Sequence, residues 1–160
     1  MSVTVDISNE FDRWPPGILD IETFTTQAIA AALAGSKVAL QDRVEVSVVY
    51  CDDAFIHDLN KQWRHKDTPT NVLSFPLAFG AALATAPMLG DIIVSCETVI
   101  REARDEGKTF ADHLTHMLVH GALHLAGYDH EIDAEAEAME SLERIVLSQL
   151  GVADPYKDAP

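Results

Sequence analysis

The sequence has only two cysteines and lacks the features of a secreted or disulfide-stabilised protein. Cys51 and Cys96 form no C-x-x-C pair, so we expect neither a disulfide framework nor a cysteine metal site. Both are predicted to be small apolar core residues of a protein in the reducing cytoplasm. The N-terminal residues have neither a positive start nor an apolar run, and we therefore expect no signal peptide.

Basic residues are also scarce. The 160-residue chain has 11 lysines and arginines against 26 acidic residues, which gives a net charge of −15. Such a charge argues against non-specific binding to nucleic acid or to anionic lipid. The charges are segregated, however: six of the 11 basic residues lie between Lys61 and Lys108, and residues 129–143 hold seven acidic residues and no lysine or arginine. An acidic protein with this distribution can still present a local basic surface.

The longest uncharged stretch, residues 68–90, has 23 residues and could span a bilayer by its length alone. It is interrupted by Pro69, Pro76 and Pro87, and its middle is rich in alanine. Two buried strands joined by an apolar loop explain such a stretch better than a membrane helix does. We therefore expect no membrane partner.

The pattern of apolar residues predicts a single α+β domain over residues 1–160. Strands are indicated near 3–7, 44–48, 72–75 and 91–95, and helices over 18–34, 53–63, 96–106, 110–126 and 132–150. The strand at 91–95 is apolar on both of its faces, so it is predicted to be central. The expected fold is a small mixed four-stranded sheet packed against about five helices. Glycines are expected to end three of these helices, at Gly35, Gly107 and Gly127, and the last nine residues are expected to be frayed.

The helix predicted over 110–126 combines a buried character with a row of histidines. Apolar residues cover most of its circumference, while His116, His120 and His124 recur at a spacing of four. Histidines one turn apart can share an ion, but His116 and His124 are two turns, about 12 Å, apart. The third ligand is therefore expected after the helix ends, where Gly127 can reverse the chain and bring in His130.

The resulting pattern, H-x3-H-x2-G-x2-H over residues 120–130, is the zinc-binding spacing of metzincin proteases with one change. The glutamate that follows the first histidine in those proteases, their general base, is replaced by Gly121. Three neutral histidines predict one zinc ion per chain, a coordination position left for water and a net charge of +2 that suits an anionic substrate. Asp129 is the nearest candidate for a fourth ligand or a base. A purely structural histidine cluster is the alternative.

Three blocks of the sequence resemble the YbeY family of ribosomal-RNA maturation endoribonucleases. They are HMLVHGALHLAGYDH at residues 116–130, LNKQWRHKDTPTNVLSFP at residues 59–76 and LGDIIVS at residues 89–95. The histidine block is the most specific of the three. The resemblance implies a single-strand-specific endoribonuclease with one zinc, held by the three histidines of the predicted site. It also implies a role in 16S rRNA 3′-end maturation and in ribosome quality control.

Arg64 is the residue whose interpretation depends most on this resemblance. By itself, a cation at the end of a helix is ordinarily solvated and complements the helix dipole. Arg64 matches the functional arginine of the family, which implies that its guanidinium binds a phosphate and stabilises the transition state. One departure from the family pattern is Asn71, where an aspartate is usual, and it weakens any role for a carboxylate at that position.

Further side chains are weaker candidates for the site. A row of cations on one helix face could extend the phosphate-binding surface, although such a row is ordinarily a solvated face: Arg101, Arg104 and Lys108. Polar residues of the second block could line the site: Asp67, Thr70 and Ser74.

Two other functions stay open at this point. A metzincin-like metalloprotease fits the histidine spacing but lacks the glutamate. A non-catalytic ribosome-assembly factor fits the acidic charge, because the helix 132–150 could contact a basic ribosomal protein, although a solvated face explains the same residues. For the nuclease, the expected partners are single-stranded RNA (a 16S rRNA precursor) and ribosomal small-subunit proteins. Its nucleophile is either a zinc-bound water or a substrate 2′-hydroxyl.

Overall fold

The computed structural model describes residues 1–157. Over this range the chain forms four strands, five α-helices and one 3₁₀ helix, which confirms the predicted α+β domain with a mixed sheet. The strands are β1 (Ser2–Asn9), β2 (Arg43–Cys51), β3 (Val72–Pro76) and β4 (Met88–Ser95). The helices are α1 (Ile21–Gly35), α2 (Asp53–Arg64), α3 (Cys96–Glu106), α4 (Phe110–Leu125) and α5 (Asp133–Gln149), and the 3₁₀ helix covers Gly80–Thr85.

The sheet has the strand order β1-β2-β4-β3. The first three of these strands are parallel, and β3 runs antiparallel to β4 at the edge. As predicted, β4 is internal and buried on both faces. Ile92 belongs to the main core, whereas Ile93 packs with Ile56 of α2 in a smaller cluster on the opposite face.

Helix α4 lies at the centre of the domain. It contacts α1, α3 and α5 as well as β3 and β4, and 12 of its 16 residues are buried. Its apolar residues supply much of the main core, because they cover nearly all of its circumference. The prediction of a buried histidine-bearing helix is confirmed. The histidines of α4 are therefore carried by the most enclosed element of the fold.

Local sequence signals account for most helix boundaries. The Asp52 side chain accepts a hydrogen bond from the backbone N–H of Phe55 and so caps α2, and Gly107 ends α3 in a left-handed conformation with φ of 68°. Gly35 acts differently from the prediction: it lies inside α1 rather than after it. A Cβ at residue 35 would lie 2.6 Å from Cγ2 of Val146 on α5, so close packing between helices requires this glycine.

The uncharged stretch 68–90 forms β3, the 3₁₀ helix and the first three residues of β4, in agreement with the prediction of two strands joined by an apolar loop. Within residues 1–157, no helix has the length and apolar character needed to cross a membrane. Cys51 and Cys96 are both buried and unpaired with each other, as small apolar core residues are expected to be.

The segment after α5, where a frayed end is expected, makes contacts with that helix in its described part. The backbone N–H of Val152 donates to the carbonyl of Leu147, and the Tyr156 hydroxyl donates to the Glu143 carboxylate. These contacts hold residues 152–157 against α5, and the Tyr156 ring is partly buried there. Residues 158–160 lie outside the described part of the chain.

Candidate metal centre and cleft

Two histidines at the C-terminal end of α4 form the base of the site. His120 and His124 are one turn apart on the helix and are both partly buried. Their Nε2 atoms lie 3.1 Å apart, and the centroids of their rings are separated by 4.6 Å. The helix therefore presents two imidazole nitrogens to the same small volume.

The turn after α4 brings a third imidazole to this pair. Gly127 adopts φ of 102°, a conformation that side-chain-bearing residues rarely take, and the chain reverses there. The Tyr128 hydroxyl donates to the carbonyl of Ser36 at 2.7 Å and so anchors the turn on α1. The ring centroid of His130 then lies 5.4 Å from that of His120 and 5.0 Å from that of His124.

One ring nitrogen from each of these histidines lies within 4.8 Å of the others, and the group could hold a metal ion. Among the described residues, the group comprises His120, His124 and His130 alone. His116, two turns before His124, is excluded from it, in keeping with the helix geometry. Asp129 is not part of the group either. Its Oδ1 accepts a hydrogen bond from the backbone N–H of His130 at 2.7 Å.

Each of the two helix histidines also has an Nδ1 atom, which faces away from the group. The hydrogen bonds of these Nδ1 atoms indicate which ring nitrogen carries the proton. His120 Nδ1 lies 2.5 Å from Oε1 of Glu143, a fully buried side chain of α5. Burial raises the pKa of Glu143, but hydrogen bonds from His116, His120 and Tyr156 outweigh that effect and lower the pKa to about 2. The ionised carboxylate can only accept, so His120 carries its proton on Nδ1.

The same argument applies to the second histidine. His124 Nδ1 donates to the carbonyl oxygen of Tyr128 at 2.8 Å. Burial, together with the nearby His120 and His130, lowers the pKa of His124 to about 4, so its imidazole is neutral at pH 7. His124 therefore presents the lone pair of its Nε2 atom to Nε2 of His120, 3.1 Å away.

Two imidazole nitrogens at this separation have a cation between them, which is either a proton carried by one ring or a metal ion bound by both. Two nitrogen ligands at 2.0–2.1 Å in a tetrahedral arrangement are about 3.3–3.4 Å apart, close to the separation found here. The donor set, its tautomers and its spacing thus fit a metal ion that prefers nitrogen ligands.

The three histidines open onto a cleft of about 510 Å³. Arg64, the last residue of α2, lines the same cleft, and its Nη2 donates to the carbonyl of Ser74 over a long 3.5 Å contact. Phe79, which precedes the 3₁₀ helix, also lines the cleft although the residue is 71% exposed. Asp129 and Glu131 complete the polar part of the lining.

The weaker sequence candidates divide between the cleft and other places. Ser74 lines the cleft, and its hydroxyl donates to the carbonyl of Gly121 at 3.2 Å. In the described part of the chain, the other candidates do not line it: Asp67, Thr70, Arg101, Arg104 and Lys108. Asp67 instead contacts His57 at 2.7 Å, and Arg101 forms an ion pair with Asp53 at 2.8 Å. The proposed row of cations therefore does not extend the site.

Asn71 lies outside the cleft lining as well. Its side-chain amide donates to Oε1 of Glu102 at 3.0 Å, and the same oxygen lies 2.9 Å from Nε2 of the buried His113. A carboxylate at position 71 would face that of Glu102. The departure from the family pattern at this residue is therefore accommodated by a partner on α3 and does not alter the cleft.

Two residues of the site were not predicted from the sequence. Glu143 follows Met139 by four residues and precedes Val146 by three, so helical spacing alone places it on the buried face of α5. An acidic residue on an apolar helix face was the available signal. Tyr156 lies in a segment without periodicity, and no pattern in the sequence marks it.

The fold and the site define the class of the protein: an α+β domain in which a three-histidine group, at the end of a buried helix, opens onto a cleft with an arginine. The chain belongs to the YbeY family, whose model, described as Endoribonuclease YbeY, matches residues 13–151. The family resemblance noted in the sequence is thereby confirmed.

Individual relatives agree with this assignment. A Methylocella silvestris protein named Endoribonuclease YbeY is 48% identical over 158 residues, which cover 99% of this chain and 88% of the relative. A Rhizobium etli protein of the same name is 61% identical over 115 residues, which cover 71% and 67% of the two chains. The solution structure of TM1509 from Thermotoga maritima matches with a TM-score of 0.57 at 27% identity, covering 97% of this chain and 100% of that one.

Proposed function

We propose that this protein is a zinc-dependent, single-strand-specific endoribonuclease that acts in the cytoplasm in 16S rRNA 3′-end maturation and ribosome quality control. The observation that carries the proposal is the convergence of ring nitrogens from His120, His124 and His130 in a cleft that also holds Arg64. Membership of the endoribonuclease family supports RNA as the substrate class.

In this proposal His120, His124 and His130 hold one zinc ion per chain. Three neutral histidines leave the full +2 charge of the ion in the cleft. When bound, zinc supplies a Lewis acid and lowers the pKa of a coordinated water toward 7. Glu143 and the Tyr128 carbonyl keep the first two rings in the tautomer that exposes Nε2.

Arg64 is the residue we assign to the phosphate. A guanidinium has five N–H donors in a planar fork, and the Ser74 carbonyl uses one of them over a long contact. The remaining donors can bind the scissile phosphate in a bidentate manner and stabilise the negative charge that grows in the transition state.

Asp129 is the side chain we assign to proton transfer. It lines the cleft next to His130, and 46% of its side chain is exposed. The hydrogen bond from the His130 backbone N–H orients the carboxylate, so a proton acceptor is held beside the histidine group.

Phe79 offers a reason for single-strand specificity. Its exposed ring lies at the edge of the cleft, where an unpaired base of the substrate can stack on it. Bases of a duplex already stack on each other and are less accessible to such a ring. An RNA whose bases are free therefore gains a contact that a duplex does not.

The net charge of −15 limits how tightly bare RNA can bind, because few phosphates are neutralised and few counterions released. We therefore propose that a ribosomal small-subunit protein contributes to substrate capture. The exposed acidic residues of α5 suit a basic partner of this kind.

The metalloprotease alternative is disfavoured by the packing of Gly121. A Cβ at this position would lie 3.0 Å from Cγ2 of Ile92 and 3.2 Å from Oγ of Ser74. The position that carries the general base in metzincins is therefore packed against the sheet, and a glutamate side chain has no space there.

The test uses purified protein with and without a chelator, given a labelled single-stranded RNA, a matched duplex and an unstructured peptide. Chelator-sensitive cleavage of the single strand alone is the expected result, and the identically prepared His124→Ala protein must be inactive. Cleavage of the peptide would favour a protease. No cleavage at all, together with immature small subunits in cells that lack the protein, would replace the nuclease with an assembly factor.

A further inference from the structure

The segment after α5 contacts the group of residues behind the metal centre. The Tyr156 hydroxyl donates to Oε2 of Glu143 and lies 3.3 Å from Nε2 of His116. The other carboxylate oxygen of Glu143 accepts a hydrogen bond from the Nδ1–H of His120. A continuous path of hydrogen bonds therefore joins Tyr156 to His120 through one buried carboxylate.

Several contacts fix Tyr156 in this place. Its backbone N–H donates to Oδ1 of Asp154 at 2.8 Å, and that carboxylate also contacts the Arg144 guanidinium at 3.3 Å. The same guanidinium lies over the Tyr156 ring, 5.3 Å from its centroid. The phenol is therefore held against α5 from two sides, and its hydroxyl points at Glu143.

The Glu143 side chain has no exposed surface, so each of its oxygens depends on protein partners. Oε1 is used by His120, and Oε2 by Tyr156 with His116 at 3.5 Å. Removal of the tyrosine hydroxyl leaves Oε2 without its O–H donor. A buried carboxylate that has lost a donor is stabilised when it rotates toward other donors. This rotation would disturb its hydrogen bond to His120.

We propose that Glu143 and Tyr156 are positioning residues that fix the ring orientation and tautomer of His120, so that residues 152–157 form a structural part of the metal centre. The family match ends at residue 151, and the segment that carries Tyr156 lies beyond it. The inference rests on the metal site of the proposed function. It adds to that site a segment, residues 152–157, that lies outside the part of the chain matched by the family.

The first measurement is the zinc dissociation constant, obtained by competition with a chromophoric chelator. Tyr156→Phe should weaken zinc binding by about tenfold and Glu143→Gln by about 10–100-fold, the range typical of partners that orient metal-binding histidines. Tyr50→Phe is the matched control: it also removes a buried tyrosine hydroxyl, which contacts Thr25 at 2.6 Å in a place that does not line the cleft. Its zinc affinity should stay within twofold of the wild type.

The second measurement needs no zinc. Nitrogen-15 NMR of the metal-free protein should show His120 as the Nδ1–H tautomer in the wild type and in Tyr50→Phe, and as a mixture of tautomers in Tyr156→Phe. Thermal melting of each variant shows whether it is folded at the temperature of both measurements.

Either of two results overturns the inference. One is a Tyr156→Phe protein with wild-type zinc affinity and an unchanged His120 tautomer, whatever Glu143→Gln does. The other is a Tyr50→Phe protein that loses as much affinity as Tyr156→Phe, because the effect would then follow global stability. A wild type that binds no zinc yet shows the tautomer change would refute the proposed metal site and leave the positioning of His120 intact.

Discussion

Gly121 of α4 packs directly against Ile92 of β4, at a distance that leaves no space for a Cβ without displacement of the isoleucine. The contact joins the histidine-bearing helix to the centre of the sheet. It also explains why a helix with zinc-protease spacing has no acidic residue at this position: the backbone of α4 must approach the sheet closely for the domain to pack.

This packing gives the first prediction. Gly121→Ala should lower the free energy of unfolding by about 1–3 kcal/mol, the usual effect of an extra methyl group in a close-packed core. Denaturant unfolding of the metal-free protein measures the change. Unaltered stability would show that displacing Ile92 costs no more than the helix propensity that alanine gains over glycine.

The second prediction concerns the ligands. His120→Ala, His124→Ala and His130→Ala should each lose most of the one zinc expected per chain, because each removes one of three converging nitrogens. His116→Ala should retain most of it, since His116 does not belong to that group. Elemental analysis of protein purified without added metal decides this. A site emptied by His116→Ala and retained in His130→Ala would contradict the assignment.

Arg64→Glu is the third prediction. The variant should lose activity on single-stranded RNA by at least about 100-fold, the scale of losing a group that stabilises transition-state charge. Its zinc content and melting temperature should not change, because the side chain is exposed. Arg104→Glu is the matched control, since Arg104 is an exposed arginine that does not line the cleft. Wild-type activity in the folded, zinc-loaded Arg64→Glu protein would reduce Arg64 to a surface charge.

The fourth prediction tests base stacking. Phe79→Ala should raise the KM for single-stranded RNA by about 5–150-fold, which corresponds to the 1–3 kcal/mol of one base stacked on an aromatic ring. The kcat should change little, because the ring does not contact the histidines. Phe55→Ala provides the control, since Phe55 is 44% exposed on α2 but does not line the cleft. Equal effects of the two variants would argue against a base-binding role.

The fifth prediction is a pH dependence of stability in the metal-free protein. The pKa of His124 falls from 6.5 to about 4 on folding, so the unfolded chain binds a proton more readily between these values. Stability should therefore be full above pH 6.5 and decrease as the pH falls toward 4. His124→Ala should show a shallower decrease over the same interval in urea unfolding. A slope identical to that of the wild type would show that His124 is solvated.

Much of the fold could be predicted because its elements follow simple periodicities. The four strands and five helices appear where alternation and helical spacing place them, and Gly107 ends its helix as expected. The histidine group could be predicted for the same reason: a helix fixes the separation of His120 and His124, and a glycine turn limits where a third ligand can come from.

The remaining parts depend on contacts between distant segments. Arg64 could be singled out only by family resemblance, because nothing in its helix says that β3 and the end of α4 lie beside it. Tyr156 meets Glu143 across 13 residues of chain that include the end of α5. Gly35 looked like a helix end, whereas the approach of Val146 is what requires it. Local sequence patterns do not predict such contacts between separate segments of the chain.

The three proposed ligands differ in how firmly the fold holds them, and this difference predicts an order of events for metal exchange. His120 and His124 are carried by the most enclosed helix of the domain, whereas 55% of the His130 side chain is exposed on the turn that follows. An incoming ion would bind first to the pair His120 and His124 and afterwards to His130 on the turn. The ion would dissociate in the reverse order. For an ion bound in the proposed site, we expect the lifetime to depend on the opening of residues 127–131, with the core folded throughout.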